Sequence, residues 1–330
     1  MATSEKPLKT WGVIIQMKYR TLGKTGLKVS LLSLGSGGTR QLGQDSQMDQ
    51  KSQTVLVHKA LSLGINMIDT SAQYGNSEAI LGTALNGIKR DRYLLCTKWY
   101  CADKPDPIKS PNLLIKSVET SLSKLNTDHI DIMMFHGPLA NEYDRILDSC
   151  YPILNSLKEK GKIRFIGLST RFKEDHAQLV AELAVKNNPE LFDVIMLKYG
   201  ILNQYAATTI MPLAIKHNIG IMNMAVIREK LPNKDLLEQL IKKWKNEGLI
   251  SKDSLEDKNP LDWLVKDDVD SIISAGYKFA ADHPAISTVI TGTADIKHLE
   301  SNVNALSKPV LKSHDSIKLK NLFGEIIEYA

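Results

Sequence analysis

Four residues with complementary chemistry stand at the ends of short apolar runs. Asp69 closes "INMID" at 65, and Tyr74 follows five residues later beside Gly75. Lys98 ends "YLLCTK" at 93, and His136 follows "IDIMMF" at 130. A phenol, with an ordinary pKa of about 10, is a poor acid at neutral pH. A neighbouring ammonium favours the phenolate and lowers that pKa, while a carboxylate holds the ammonium in place. An imidazole can orient a carbonyl oxygen for protonation. Each residue alone has a plainer reading: a helix cap for Asp69, packing for Tyr74, a satisfied core histidine for His136. Lys98 is the hardest to explain that way, because an unpaired buried ammonium is costly. Taken together the four make a proton donor suited to a carbonyl that receives hydride.

Whether they meet depends on the elements that carry them. Eight short, almost continuously apolar runs recur: "LLSLG" at 31, "INMID" at 65, "YLLCT" at 93, "IDIMMF" at 130, "IRFIGL" at 163, "DVIML" at 193, "IGIMNM" at 219 and "STVIT" at 287. Runs apolar on both faces read as parallel strands covered by helices. Helical patterns lie between them. Ser110-Pro111 supplies an N-cap and a first-turn proline for Leu114, Val118, Leu122 and Leu125. Ile146, Cys150, Ile153, Leu154 and Leu157 make a second apolar face that stops at Gly161, and Ile296, Leu299, Val303 and Leu306 a later one. The alternation predicts an α/β fold, a (β/α)8 TIM barrel. A doubly wound open sheet is the alternative, since periodicity does not see closure. In a barrel the C-terminal ends of the strands converge on one mouth, so the four residues meet there.

Two segments stand outside the repeat. Residues 18–30, "KYRTLGKTGLKVS", read as an N-terminal β-hairpin. About sixty residues separate the seventh strand from the eighth, including the amphipathic "DLLEQLIKKWKNEG". This long loop and helix insertion after strand 7 is expected to fold as a flap over the mouth. Residues 1–16 are read as a disordered extension and 17–330 as a single barrel domain.

Composition narrows the function. Apolar residues make up 43% of the 330 and charged residues 24%, an ordinary globular balance. The net charge of +5 is spread without a basic stripe, so no nucleic-acid partner is expected. No apolar stretch approaches the ~18 residues of a membrane span. Three cysteines, Cys96, Cys101 and Cys150, make no disulfide framework and suit a reducing, cytoplasmic setting. The histidines have neither His-x-His nor His-Glu-x-x-His spacing, so no metal site is expected. Tyr100 and Lys104 have a Tyr-x-x-x-Lys spacing, but Pro105 and Pro107 argue against a helix there.

The motifs resemble those of the aldo-keto reductase family. "KYRTLGKTGLKVS" is similar to that family's N-terminal hairpin, "DTSAQYGNSEAILG" to its signature around the catalytic aspartate and tyrosine, and "GKIRFIGLST" to its fifth-strand text. The resemblance runs from about Met17 to Leu306. It implies NADP or NAD bound across the mouth and a small-molecule aldehyde, ketone or aldose substrate. It also implies Tyr74 as the general acid/base, assisted by Asp69, Lys98 and His136. Trp99 joins Tyr74 and His136 as a candidate wall of the substrate pocket. The implied cofactor contacts are Gly35, Ser36, Asp69, Ser169, Thr170, Tyr199, Ile227, Arg228, Gly292, Thr293, His298 and Asn302.

The cofactor side also departs from the family pattern. Ser169-Thr170 stands where the family has Ser-Asn, Met196 replaces a glutamine, and Met224–Ile227 loses a stacking ring that Tyr199 is expected to supply instead. No dedicated cation for an adenosine 2'-phosphate stands near Gly292, although Arg228 and Lys230 are placed to meet phosphates. The expected protein is an NAD(P)-dependent oxidoreductase, a monomer or small homo-oligomer. Its alternatives are a cofactor-binding regulatory protein of the same fold with little turnover, and a barrel hydrolase or lyase using Asp69 and His136.

Overall fold

The computed structural model describes residues 9–10, 13–14, 16–100 and 112–328. Cys101, Lys104, Pro105, Pro107, Ser110 and Pro111 therefore lie outside the described residues. So does the expected extension, apart from Gln16 and a two-residue ladder pairing Lys9–Thr10 (β1) with Val13–Ile14 (β2).

All eight apolar runs are strands of one closed parallel barrel. They are Leu32–Gly35 (β5), Met67–Asp69 (β6), Leu94–Tyr100 (β7), Ile130–His136 (β8), Ile163–Ser169 (β9), Val194–Lys198 (β10), Gly220–Met224 (β11) and Ile286–Thr291 (β12). Closure joins β12 to β5, with Val289 opposite Leu32. The open-sheet alternative is thereby excluded.

Alternate residues of each strand point inward. Met67, Cys96, Ile132, Met134, Val194, Met196 and Met222 fill the interior. Methionine, unbranched and flexible, suits so irregular a space. Residues of the opposite parity face the helices and join the larger apolar layer outside the barrel.

The hairpin of Tyr19–Thr21 (β3) and Lys28–Ser30 (β4) plugs the N-terminal end. Leu22 and Val29, both fully buried, pack into the interior cluster. The Lys24 amide donates to the Asn218 carbonyl just before β11, and Arg20 donates to the Ile286 carbonyl of β12. With that end closed, the mouth at the opposite end is left for ligands.

The helix with Leu114, Val118, Leu122 and Leu125 on its buried face spans Asn112–Leu125. The single helix expected around Ile146 to Leu157 is divided at Cys150, into Tyr143–Ser149 and Tyr151–Glu159. Pro152 has no N–H to donate back into the preceding turn, which separates the two. The long segment after β11 also differs from a flap. Its helix, Lys234–Asn246, buries Leu237, Leu240, Ile241 and Trp244, and Trp244 packs on Phe323 of the last helix, Ser313–Phe323. Lys266 and Asp267 pair with Asp315 and Lys312 of that helix and its N-terminal flank. Of residues 228–268, only those up to Pro232 border the mouth.

Candidate active site

A cleft of about 780 Å³ opens at the C-terminal ends of the strands. It lies within the range of small-molecule and cofactor sites, about 300–1,000 Å³. Asp69, Tyr74 and His136 line it, and Lys98 stands buried beneath them on β7.

Lys98 Nζ donates to Asp69 Oδ1 at 2.5 Å and to the Thr70 carbonyl at 2.7 Å. Burial opposes the charge on Lys98. The charge of the adjacent Asp69 carboxylate and its hydrogen bond, with smaller contributions from other neighbours, together outweigh burial and hold the ammonium above its ordinary pKa. Nζ also lies 5.0 Å from the centre of the Tyr74 ring.

Tyr74 sits in the short loop between β6 and the helix Ser77–Ala84. Gln44 fixes this loop by donating to the Tyr74 carbonyl and accepting from the Asn76 amide. Gly37 packs flat on the phenol: a Cβ there would lie 2.5 Å from a ring carbon. From the sequence, Lys98 is expected to lower the tyrosine's pKa. Lys98 does pull it down, but burial outweighs that pull and the Asp69 carboxylate adds to burial, so the net shift is upward. The phenol is therefore protonated at neutral pH.

His136 Nε2 is 3.5 Å from the Tyr74 hydroxyl, with the rings edge to face. Burial and the cations Lys98 and Arg171 lower its pKa to about 3, so the imidazole is neutral. Its Nδ1 lies 3.0 Å from Ser71 Oγ, which accepts from the Gln73 amide. A Ser71 hydroxyl donating to Nδ1 puts the imidazole proton on Nε2, facing the cleft.

The structure thus gathers Asp69, Tyr74, Lys98 and His136 into one cluster. It does not bring Trp99 there. Cys96, Lys98 and Tyr100 share the inward face of β7, so Trp99 points outward, buried against Phe135, and Tyr100 lines the cleft instead. Tyr199 follows the same rule. Met196 and Lys198 face inward on β10, and Tyr199 stacks on Phe279 outside the barrel. The aromatic residues that do line this side are Phe172 and Tyr277.

Of the other expected cofactor contacts, Gly35, Thr170, Ile227, Arg228 and Gly292 line the cleft. Ser36 and Ser169 are buried beside it; Ser169 Oγ accepts from the Gly137 amide. Asn302 donates to Thr291, Thr293 Oγ1 bonds to Asp295, and none of Thr293, His298 and Asn302 borders the cleft. Lys230 pairs with Glu328, which also binds Lys198 at 2.5 Å. At the N-terminus of the helix Ile296–Ser307, the Asp295 carboxylate accepts from the Lys297 amide. A carboxylate there takes an amide that a phosphate would otherwise use.

Among the residues that sequence reasoning does not single out, Ser71 lies inside the signature but reads there only as spacing between Asp69 and Tyr74. Tyr100 was legible from strand parity once Lys98 was set inward. Arg171, in the loop after β9, carried no signal.

The Aldo/keto reductase family model matches residues 33–322, most of the chain and all but the first residue of the barrel strands. The chain belongs to the aldo/keto reductase family. It is 28% identical over 303 residues to L-galactose dehydrogenase of Arabidopsis thaliana, covering 89% of each chain. It is 30% identical over 233 residues to the NADH-specific methylglyoxal reductase of Escherichia coli, covering 65% of this chain and 69% of that one. Among solved structures, the holo form of an aldo-keto reductase from Bacillus halodurans matches with a TM-score of 0.70 at 23% identity, covering 96% and 98% of the two chains. This last likeness concerns the fold. Within the aldo/keto reductase frame, the cleft fits an extended anionic ligand. Gly35, Gly37, Gly38 and Gly292 leave bare backbone along one wall, and Arg40 and Arg228 add positive charge. Met196 offers the cleft no amide, and the Thr170 hydroxyl at its side donates to Gln178.

Proposed function

We propose that this protein is an NAD(P)-dependent oxidoreductase that interconverts a carbonyl compound and its alcohol, with Tyr74 as the general acid/base. The observation that carries the reading is the cluster at the mouth: a protonated phenol, a neutral imidazole 3.5 Å away and an ion-paired lysine beneath the phenol. A bound nicotinamide dinucleotide would supply the hydride, which adds to the carbonyl carbon. Tyr74 gives its proton to the carbonyl oxygen, and the positive charge of Lys98 stabilises the phenolate left behind. Asp69 keeps that ammonium in place, and His136 Nε2–H orients the oxygen before transfer. Thr170, Met196, Ile227, Arg228, Gly35 and Gly292 would hold the dinucleotide.

Two features favour relaxed dinucleotide preference or a tilt to NADH. Among the described residues no cation clamps the region beside Gly292, and Asp295 already caps the helix that follows. Lys297 and His298, both exposed, are the nearest substitutes. The chain of contacts from Asp69 through Lys98 and Tyr74 to His136 supports turnover rather than a purely regulatory protein.

The test is oxidation of NADH and NADPH, followed separately with a panel of aldehydes, ketones and aldoses. Tyr74→Phe should lower turnover by about 10²-fold or more, with an unchanged melting temperature. Near-normal reduction by that variant would remove Tyr74 from the role. A dissociation constant for NADPH a hundredfold below that for NADH would overturn the relaxed preference.

A further inference from the structure

Arg171 is a cation at the mouth with no counter-charge among the described residues. It lines the cleft, yet among the described residues no carboxylate pairs with it, and its Nε and Nη2 are buried without a hydrogen-bond acceptor. These two nitrogens share one edge of the planar guanidinium, the edge whose parallel N–H groups match the two oxygens of a carboxylate. Leaving charged donors unpaired is expensive, and such groups in a folded protein call for a reason.

Its placement separates it from the dinucleotide side. Thr170, Met196, Ile227, Arg228 and Gly292 follow β9 through β12. Arg171 leans the other way, over β8 and β7. Its guanidinium lies 5.3 Å from the centre of the Tyr100 ring, and its stem rests on Gly137. At Gly137 the backbone has φ of +61°, and a Cβ would stand 3.1 Å from Arg171 Cβ, so glycine leaves the room that the side chain uses. Tyr100 in turn packs against His136, ring centres 5.6 Å apart. Arg171 is thus near enough to His136 to depress its basicity. Phe172 carries the cation of Arg228, 4.3 Å from its ring, which belongs to the dinucleotide side. The cation over Tyr100 and the cation over Phe172 therefore serve different parts of the cleft.

We infer that the substrate is a carbonyl compound bearing a carboxylate, and that Arg171 turns its Nε–Nη2 edge to receive that carboxylate while the carbonyl rests between Tyr74 and His136. The inference depends on the proposed carbonyl-reducing function for its reaction, and on Arg171 alone for its substrate class. A charge-assisted fork is worth about ten- to hundredfold in recognition.

The experiment has two arms. The first measures kcat/KM for succinic semialdehyde against butanal and for 4-carboxybenzaldehyde against 4-methylbenzaldehyde, in the wild type, Arg171→Met and Arg171→Lys. At least one acid should exceed its neutral partner by about tenfold. The ratio should fall to near one in Arg171→Met and to an intermediate value in Arg171→Lys, which keeps the charge without the fork. The second arm measures binding of benzoate and benzamide by calorimetry in the presence of NADPH and needs no turnover. Benzoate should bind more tightly, and only while Arg171 is present. Acid-to-neutral ratios below threefold in both pairs, or benzoate binding that survives Arg171→Met, would overturn the inference. Absence of turnover with every aldehyde and both dinucleotides would instead sink the reductase reading, and the benzoate arm would still decide the role of Arg171.

Discussion

Lys98→Met isolates the buried ion pair. In the native protein the Asp69 carboxylate is 4% exposed, and Lys98 is fully buried 2.5 Å from it. Methionine keeps most of the stem's volume and removes the ammonium, leaving the carboxylate in the barrel without its cation. Stranding one partner of a buried pair costs about 3–5 kcal/mol. A chain of this length has an unfolding entropy of about 0.7 kcal/mol/K, from about 2.1 cal/mol/K per residue, so the melting temperature should fall by about 4–7 °C. The loss should also depend on pH, with a sign that follows from Asp69. Burial already pushes the Asp69 carboxyl above its ordinary range against the pull of Lys98. Without Lys98 it rises further, so the folded variant holds a proton that the unfolded chain has released. A group with a raised folded pKa stabilises at low pH and loses that contribution as pH climbs through the folded value. The deficit relative to wild type should therefore be larger at pH 8 than at pH 5.5. Adding Asp69→Asn to Lys98→Met removes the stranded charge and should recover much of the stability, a positive coupling in the double-mutant cycle. Scanning calorimetry at the two pH values measures all of this. A melting temperature within 1 °C of wild type at pH 8, or a deficit that grows toward pH 5.5, would refute the description of Asp69 and Lys98 as a buried ion pair.

Other outcomes follow from the same geometry. Gly37→Ala places a methyl 2.5 Å from the Tyr74 ring, so the ring must turn; we expect about 1–3 kcal/mol of destabilisation and turnover reduced well beyond what that loss explains. Because the His136 pKa is lowered to about 3 and that of Tyr74 is raised, kcat for carbonyl reduction should be level between about pH 6 and 9. An inflection near 6.5 that vanishes in His136→Gln would contradict the neutral imidazole. Saturating dinucleotide should slow hydrogen exchange in residues 225–232 and around Gly292, while the helix Lys234–Asn246, packed on Phe323, stays unchanged. Protection spreading through that helix would restore the flap that the packing argues against.

The sequence by itself determined the barrel and the four side chains at its mouth. Parallel strands buried on both faces must be apolar along their length, so a polar residue at the C-terminal end of such a run stands out. Asp69, Lys98 and His136 were legible for that reason, and Tyr74 through its spacing from Asp69. Tertiary structure decided the rest. Whether Trp99 or Tyr100 enters the cleft depends on which face of β7 points inward, and the outward turn of Tyr199 after β10 has the same cause. The balance between Lys98 and burial at Tyr74 is a sum over the surroundings, so composition carries no trace of its sign. The fate of the segment after β11 depended on a partner, Phe323, some eighty residues further along the chain. Arg171 is one more charged loop residue until the closed barrel lays it across Gly137 and Tyr100. Charge is written in the sequence, but whether a charge finds a partner is settled only when the chain has folded.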